Sequence, residues 1–101
     1  MSVLTKLTPK LHVREHENEK WYMFWCPACK RCHIGQTPRW GFNDNIESPT
    51  FTPSILMTAE PSNYRCHINI TDGKIIYHSD CNHALRGQTI DMMDIPEDYS
   101  T

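Results

Sequence analysis

"RCHINITDGKIIYHSDC", residues 65–81, carries a complete β-hairpin in its pattern. Asp72-Gly73 suits a two-residue turn with positive φ, and the flanks alternate apolar and polar residues with the strand period of two. With that turn, Thr71 faces Lys74, Ile70 faces Ile75, Ile68 faces Tyr77, His67 faces His78 and Cys66 faces Ser79. Successive side chains of a strand point to opposite faces. One face therefore collects Cys66, Ile68, Ile70, Ile75, Tyr77 and Ser79, with Cys81 following on the same side. The other collects His67, Asn69, Ile76, His78 and Asp80. A bulge or a longer loop would flip one strand and exchange the roles of Cys66 and His67.

Period-two alternation also governs the chain before this hairpin. Leu11 and Val13 alternate with His12 and Arg14, and the polar run from Glu15 to Lys20 turns the chain into Trp21-Tyr22-Met23-Phe24-Trp25. His33 to Thr37 returns as a strand, Pro38 breaks it, and Trp40 to Asn43 begins another short extended segment. Pro49 and Pro53 bracket Thr50-Phe51-Thr52 as a rigid loop or edge segment, and Ser54-Ile55-Leu56-Met57 reads as a strand. No stretch of ten residues has helical spacing. The pattern predicts a mainly β, single-domain antiparallel fold over residues 1–92, zinc-stapled and zinc-ribbon-like in its hairpins, with little helix. An acidic tail, 93–101, is expected to be mobile unless docked.

A chain of 101 residues has room for one modest core. Its net charge of −2 lacks the basic footprint of a nucleic-acid binder, and Lys30, Arg31 and Arg39 near Trp40 read as a solvated turn. The longest aromatic-rich run, Trp21 to Trp25, is too short to cross a bilayer, and the first residues lack a signal-peptide apolar stretch. The chain reads as soluble and intracellular. In that setting five cysteines point to metal before disulfides, because thiols stay reduced and an odd count leaves one unpaired.

"FWCPACKRCH", residues 24–33, supplies the first half of a metal site. Cys26 and Cys29 have the C-x2-C spacing that lets two thiolates grip one tetrahedral zinc from a tight turn. The hairpin register independently brings Cys66 and Cys81 to one face. Cys26, Cys29, Cys66 and Cys81 are the preferred ligand set for one structural Zn2+, with His83 and then His33 as alternatives for the last position. Cys32 reads as a spare, partly buried thiol. His67, Asn43, Thr50, Ser54 and Asp80 are more polar groups than a structural zinc requires, and they form a candidate supporting layer or functional surface.

The stretches "CPACKRCH", "WGFNDNIESPTFTPSIL", "CHINITDGKI" and "DCNHALRGQTI" together resemble an uncharacterised family of small proteins encoded by phages and prophages, whose members are often labelled ammonia monooxygenase. The resemblance covers Trp21 to Ile90 and departs at Cys32 and Ser79. It implies a protein of the infected bacterial cytoplasm, with association to the virion as a further option. The enzyme label itself fails on physical grounds, since ammonia oxidation needs a membrane-embedded copper enzyme and this site suits zinc.

Two functions follow from this reading. The first is a zinc-stapled accessory module that acts by binding a host, phage or virion protein, its four thiolates leaving no position for an activated water. The second is a zinc-dependent hydrolase built from the His33, His67 and His83 region with an open metal position. The sequence favours binding over catalysis, because no general base is visible beside a nucleophile.

Overall fold

In the computed structural model, which describes residues 3–59 and 64–97, two antiparallel sheets face each other. The first is a four-stranded meander of β1 (Val3–Thr8), β2 (Leu11–His16), β3 (Glu19–Cys26) and β4 (Arg31–Thr37). The second is a five-stranded meander of β5 (Gly41–Phe42), β6 (Phe51–Ala59), β7 (Tyr64–Thr71), β8 (Lys74–Tyr77) and β9 (Thr89–Asp91). No helix is present among the described residues, and none is long and apolar enough to cross a membrane. The expected mainly β, antiparallel class is the one observed.

Between Ile68 and Tyr77 the hairpin has the register its pattern dictates, but β8 ends at Tyr77 and the chain turns at Ser79 and Asp80, so Ser79 is exposed and does not extend the core face opposite Cys66. Thr71 pairs with Lys74, Ile70 with Ile75 and Ile68 with Tyr77. Asp72 and Gly73 carry φ of 50° and 74°, the conformation a two-residue turn with right-handed strand twist demands. Cys66, Ile68, Ile70, Ile75 and Tyr77 are buried on the core side. Across from them the first sheet contributes Leu11, Val13, Tyr22, Phe24 and Cys26. Phe51 sits between the layers, its ring 4.7 Å from Phe42 and 5.6 Å from Tyr22. The approach is close enough that a Cβ on Gly35 of β4 would meet Phe51 Cδ1 at 2.8 Å, so only glycine fits there.

Two elements escape the sequence pattern. β1 forms an outer strand on β2, and β9 closes the second sheet through Lys74–Asp91, Ile75–Ile90 and Ile76–Thr89 pairs. The chain stays attached beyond residue 92. Met92 and Ile95 are buried, Met93 bridges to Trp25, and the Ile95 N–H bonds to the Pro9 carbonyl at 2.9 Å. Residues 98–101 of the expected tail lie outside the described residues.

The feature that matters most for function is an irregularity in β6. Phe51 pairs with Ile70 but Ile55 pairs with Ile68, so four steps along β6 match two along β7. The extra residues lift Thr52, Pro53 and Ser54 out of the ladder, the way bulges re-aim side chains near functional sites. Of the two readings of the proline-bracketed segment, a rigid loop or an edge segment, the strand reading holds from Phe51 onward, with Thr52 paired to Gly41.

Candidate active site and metal centre

β7 carries chemistry on both of its faces. His67 pairs with Leu56 of β6, and the alternation turns its ring away from the core, opposite to its neighbour Cys66. The β6 bulge delivers Ser54 to the same outer face, where Ser54 Oγ lies 2.9 Å from His67 Nε2. The other ring nitrogen, Nδ1, lies 3.2 Å from both carboxylate oxygens of Asp80, which follows the end of β8. A carboxylate can only accept, so Nδ1 carries the proton and Nε2 is left as the acceptor for the serine hydroxyl.

The surroundings hold this array in place. Cys81 is buried, and its sulfur accepts the His67 N–H and faces the His67 carbonyl as donor, each at 3.2 Å. The His78 ring lies flat on the His67 ring, centroids 4.1 Å apart at 14°, and His78 Nε2 donates to Asn69 Oδ1 at 2.5 Å. Desolvation raises the Asp80 pKa, but the bond and charge of His67, with help from Arg65, outweigh it and leave the carboxyl below its ordinary value. Asp80 is therefore ionised throughout the neutral range.

On the core side, directly behind His67, the donor atoms of Cys26, Cys29, His33 and Cys66 all lie within 4.8 Å of one another. Cys26 ends β3, Cys29 sits in the turn closed by the Lys30 N–H bond to the Cys26 carbonyl, His33 comes from β4 and Cys66 from β7. The Cys26 and Cys66 sulfurs are 4.0 Å apart, near the roughly 3.8 Å edge of a tetrahedron with zinc–sulfur bonds of about 2.3 Å. His33 Nε2 is buried and has no hydrogen-bond partner, a costly state for a ring nitrogen unless an ion takes it up. Burial lowers the His33 pKa, but the sulfurs of Cys26 and Cys29 lift it to about 9. Hydrogen bonds from Cys29 and Cys66 hold the Cys26 thiol far below its usual range, while those with Cys26 and Cys29 push Cys66 up. Such a cluster has a deficit of positive charge that a divalent cation fits.

Each of the three sulfurs also has a side-chain donor. Tyr77 Oη lies 3.2 Å from Cys26 Sγ, Tyr64 Oη 2.8 Å from Cys29 Sγ, and His83 Nε2 3.4 Å from Cys66 Sγ. Burial, then the neighbouring sulfur, raises the pKa of both tyrosines, so they remain donors. Donors of this kind orient metal ligands and soften thiolate charge.

The structure thus brings Cys26, Cys29, Cys66 and His33 together. Cys81 and His83 form a second group around Cys66, and His67, His78 and Asp80 a third. The three histidines named for a zinc hydrolase fall into three different groups. Asn43 and Thr50 lie elsewhere, organising the loop against the Asp72-Gly73 turn. Asn43 Oδ1 accepts the Asn45 and Thr50 N–H groups, and Thr50 Oγ1 accepts the Asp72 N–H at 2.9 Å. The sequence had placed His67, His78 and Asp80 on one face. The pairing of β6 with β7, which completes the array with Ser54, has no local signal.

A serine, histidine and aspartate linked in this order are the constellation of serine hydrolases, recognised by geometry and not by position in the chain. The chain belongs to the bacterial ubiquitination-like system serine protease (BubE) family, whose profile matches residues 3–78. This corrects the resemblance drawn from the short motifs: the family is not the phage-borne one labelled ammonia monooxygenase. Those motifs are the metal-cluster and Ser-His-Asp positions themselves, and short fragments around a site report its chemistry better than its lineage. No curated protein and no solved structure gives a significant match.

Proposed function

We propose that this protein is a serine peptidase of a bacterial ubiquitination-like system, with Ser54 as nucleophile, His67 as general base and Asp80 as the group that orients His67. The observation that carries this reading is the unbroken contact from Ser54 Oγ through His67 to the Asp80 carboxylate. The reaction cleaves an acyl bond at the end of a ubiquitin-like polypeptide.

Ser54 Oγ attacks the scissile carbonyl carbon while His67 Nε2 takes the hydroxyl proton, and the carbonyl π pair moves to oxygen. As that pair returns, the bond to the leaving amine or alcohol breaks, and His67 passes its proton to the departing atom. A water molecule then repeats the sequence on the acyl-serine and frees the carboxylate. Asp80, ionised and bonded to Nδ1–H, stabilises the imidazolium of both halves. His78, stacked on His67, and Cys81, bonded to its backbone, hold the ring beside Ser54.

Cys26, Cys29, Cys66 and His33 would hold one zinc with a structural part in this reading. With four protein ligands it would have no reactive position, and these residues come from the first sheet and from β7, one residue from His67. His33 takes the place that the sequence gave to Cys81, because the orphaned His33 nitrogen lies with the sulfurs of Cys26, Cys29 and Cys66, whereas Cys81 groups with Cys66 and His83. In this reading the metal would still staple the module, as the sequence leads one to expect, and the protein partner would be the substrate.

The test is hydrolysis of a ubiquitin-like protein of the same system fused through its C-terminus to a reporter. Wild-type protein should release the reporter, Ser54→Ala and His67→Ala should not, and brief chelation should leave the rate unchanged. Loss of activity within the mixing time of a chelator, or full activity in Ser54→Ala, would overturn the assignment.

A further inference from the structure

We propose that the substrate binds as an added antiparallel strand on the open edge of β6 and stops at Ser54, so that the enzyme recognises the acyl side of the scissile bond alone. This rests on the peptidase reading and adds what part of the substrate is read, and how.

The backbone directions follow from bonds on the far side of β7. The His67 carbonyl accepts from the His78 N–H, and the His67 N–H is given to the Cys81 sulfur. Arg65 spends its two groups on Asn82, through Asn82 Oδ1 and the Asn82 N–H. Both residues therefore face away from β6. In an antiparallel ladder the partners of such residues also face away, so Leu56, paired with His67, and Thr58, paired with Arg65, turn N–H and C=O to the outer edge. Among the described residues, no strand covers that edge beyond Thr52, where β5 pairs only through Gly41–Thr52 and Phe42–Phe51. Four unspent backbone groups on an uncovered edge are a template for strand addition.

The nucleophile stands at the end of this template. A chain antiparallel to β6 passes Thr58, then Leu56, and brings a carbonyl to Ser54. Beyond Ser54 the edge is closed, because Trp40 Nε1 donates to the Ser54 carbonyl at 3.3 Å and β5 holds the next positions. The leaving group cannot continue as a strand and must turn out of the sheet. The open run from Ile55 to Ala59 is about 17 Å long at roughly 3.4 Å per residue, so the substrate must offer an extended tail of similar reach. A ubiquitin-like protein joined through its tail to an amine or an alcohol has that form, and so does a tail ending in a small dye. The Leu56 side chain is 55% exposed on the Ser54 face. Cross-strand neighbours on one face touch, so the substrate residue opposite Leu56 should be apolar.

The test uses the full chain, a fluorophosphonate that labels active serines, and a positional-scanning library of acetyl-tetrapeptide coumarylamides. Labelling of Ser54 establishes the peptidase reading independently of the edge. The best library member is then remade with one N-methyl group on each amide in turn. Methylation of the amide that meets the Leu56 carbonyl should lower kcat/KM by about tenfold or more, the worth of a hydrogen bond whose acceptor stays desolvated, and methylation of the next amide should not. Leu56→Pro removes the edge-facing N–H together with the leucine side chain, a backbone change edge strands accept, and should lose about tenfold more kcat/KM than Leu56→Ala, which removes the side chain alone, with unchanged zinc content and circular dichroism in both. Thr58→Pro is the second variant if the first misfolds. Labelled Ser54 with no library member cleaved, equal tolerance of every N-methyl group, or a folded proline variant with unchanged kcat/KM would each overturn the edge. Failure of Ser54 to label would overturn the peptidase reading beneath it.

Discussion

Asp80→Asn separates orientation from mere proximity in the proposed array. Asp80 accepts from His67 Nδ1 with both oxygens at 3.2 Å, and it fixes the tautomer in which Nε2 is free to take the Ser54 proton. An asparagine keeps the shape but can place its NH2 group against Nδ1. The imidazole then moves its proton to Nε2, where it donates to Ser54 Oγ and cannot act as base. In a triad of this kind the loss in kcat is about ten-thousandfold at neutral pH with little change in KM. Stability should hardly move, because the Asp80 carboxylate is 44% exposed and its pairing with Arg65 is a screened surface contact. The assay is steady-state hydrolysis of a coumarylamide by wild type, Asp80→Asn and His67→Ala, each checked for zinc content and melting temperature. Activity of folded Asp80→Asn within tenfold of wild type, beside an inactive His67→Ala, would show that Asp80 does not set the tautomer.

Purified protein should contain one zinc per chain, and Cys26→Ser or His33→Gln should unfold it, since a complete structural site contributes on the order of 10 kcal/mol; metal analysis and circular dichroism read both. Cys32→Ser should fold with its zinc intact, because burial pushes that thiol up to about 11 and its sulfur belongs to none of the three ligand groups. Burial and then the charge of Lys6 lower the pKa of His12, so the unfolded chain takes up its proton first as pH falls. Stability should therefore decline below about pH 6.5, the ordinary histidine value, and His12→Gln should flatten that slope in chemical denaturation curves.

How much of this was legible depends on whether the signal was local. The Asp72-Gly73 turn fixes its own register, so the pattern of residues 65–81 sorted Cys66 from His67 and put His67 with Asp80. The C-x2-C turn likewise announced Cys26 and Cys29. β1 and β9 carry no such signal, because VLTKLT and the short TID are held by the sheets they join. Ser54 stood among the candidate surface groups, but its place beside His67 was hidden for a physical reason: two prolines and a bulge disguise the start of β6, and only its pairing with β7 carries the serine to a histidine thirteen residues away. The choice between His33 and Cys81 was equally non-local. The hairpin face predicts that Cys81 sits on the Cys66 side, which it does, but the approach of β4 to β7 across the core decides that His33 joins the four-donor group.

Activation of Ser54 by His67 can be read from mass-spectrometric mapping of a fluorophosphonate adduct. A single adduct on Ser54 is expected in the zinc-loaded protein, abolished in His67→Ala while the fold and the metal are retained. An unlabelled Ser54 in the folded protein, or labelling that persists without His67, would contradict it.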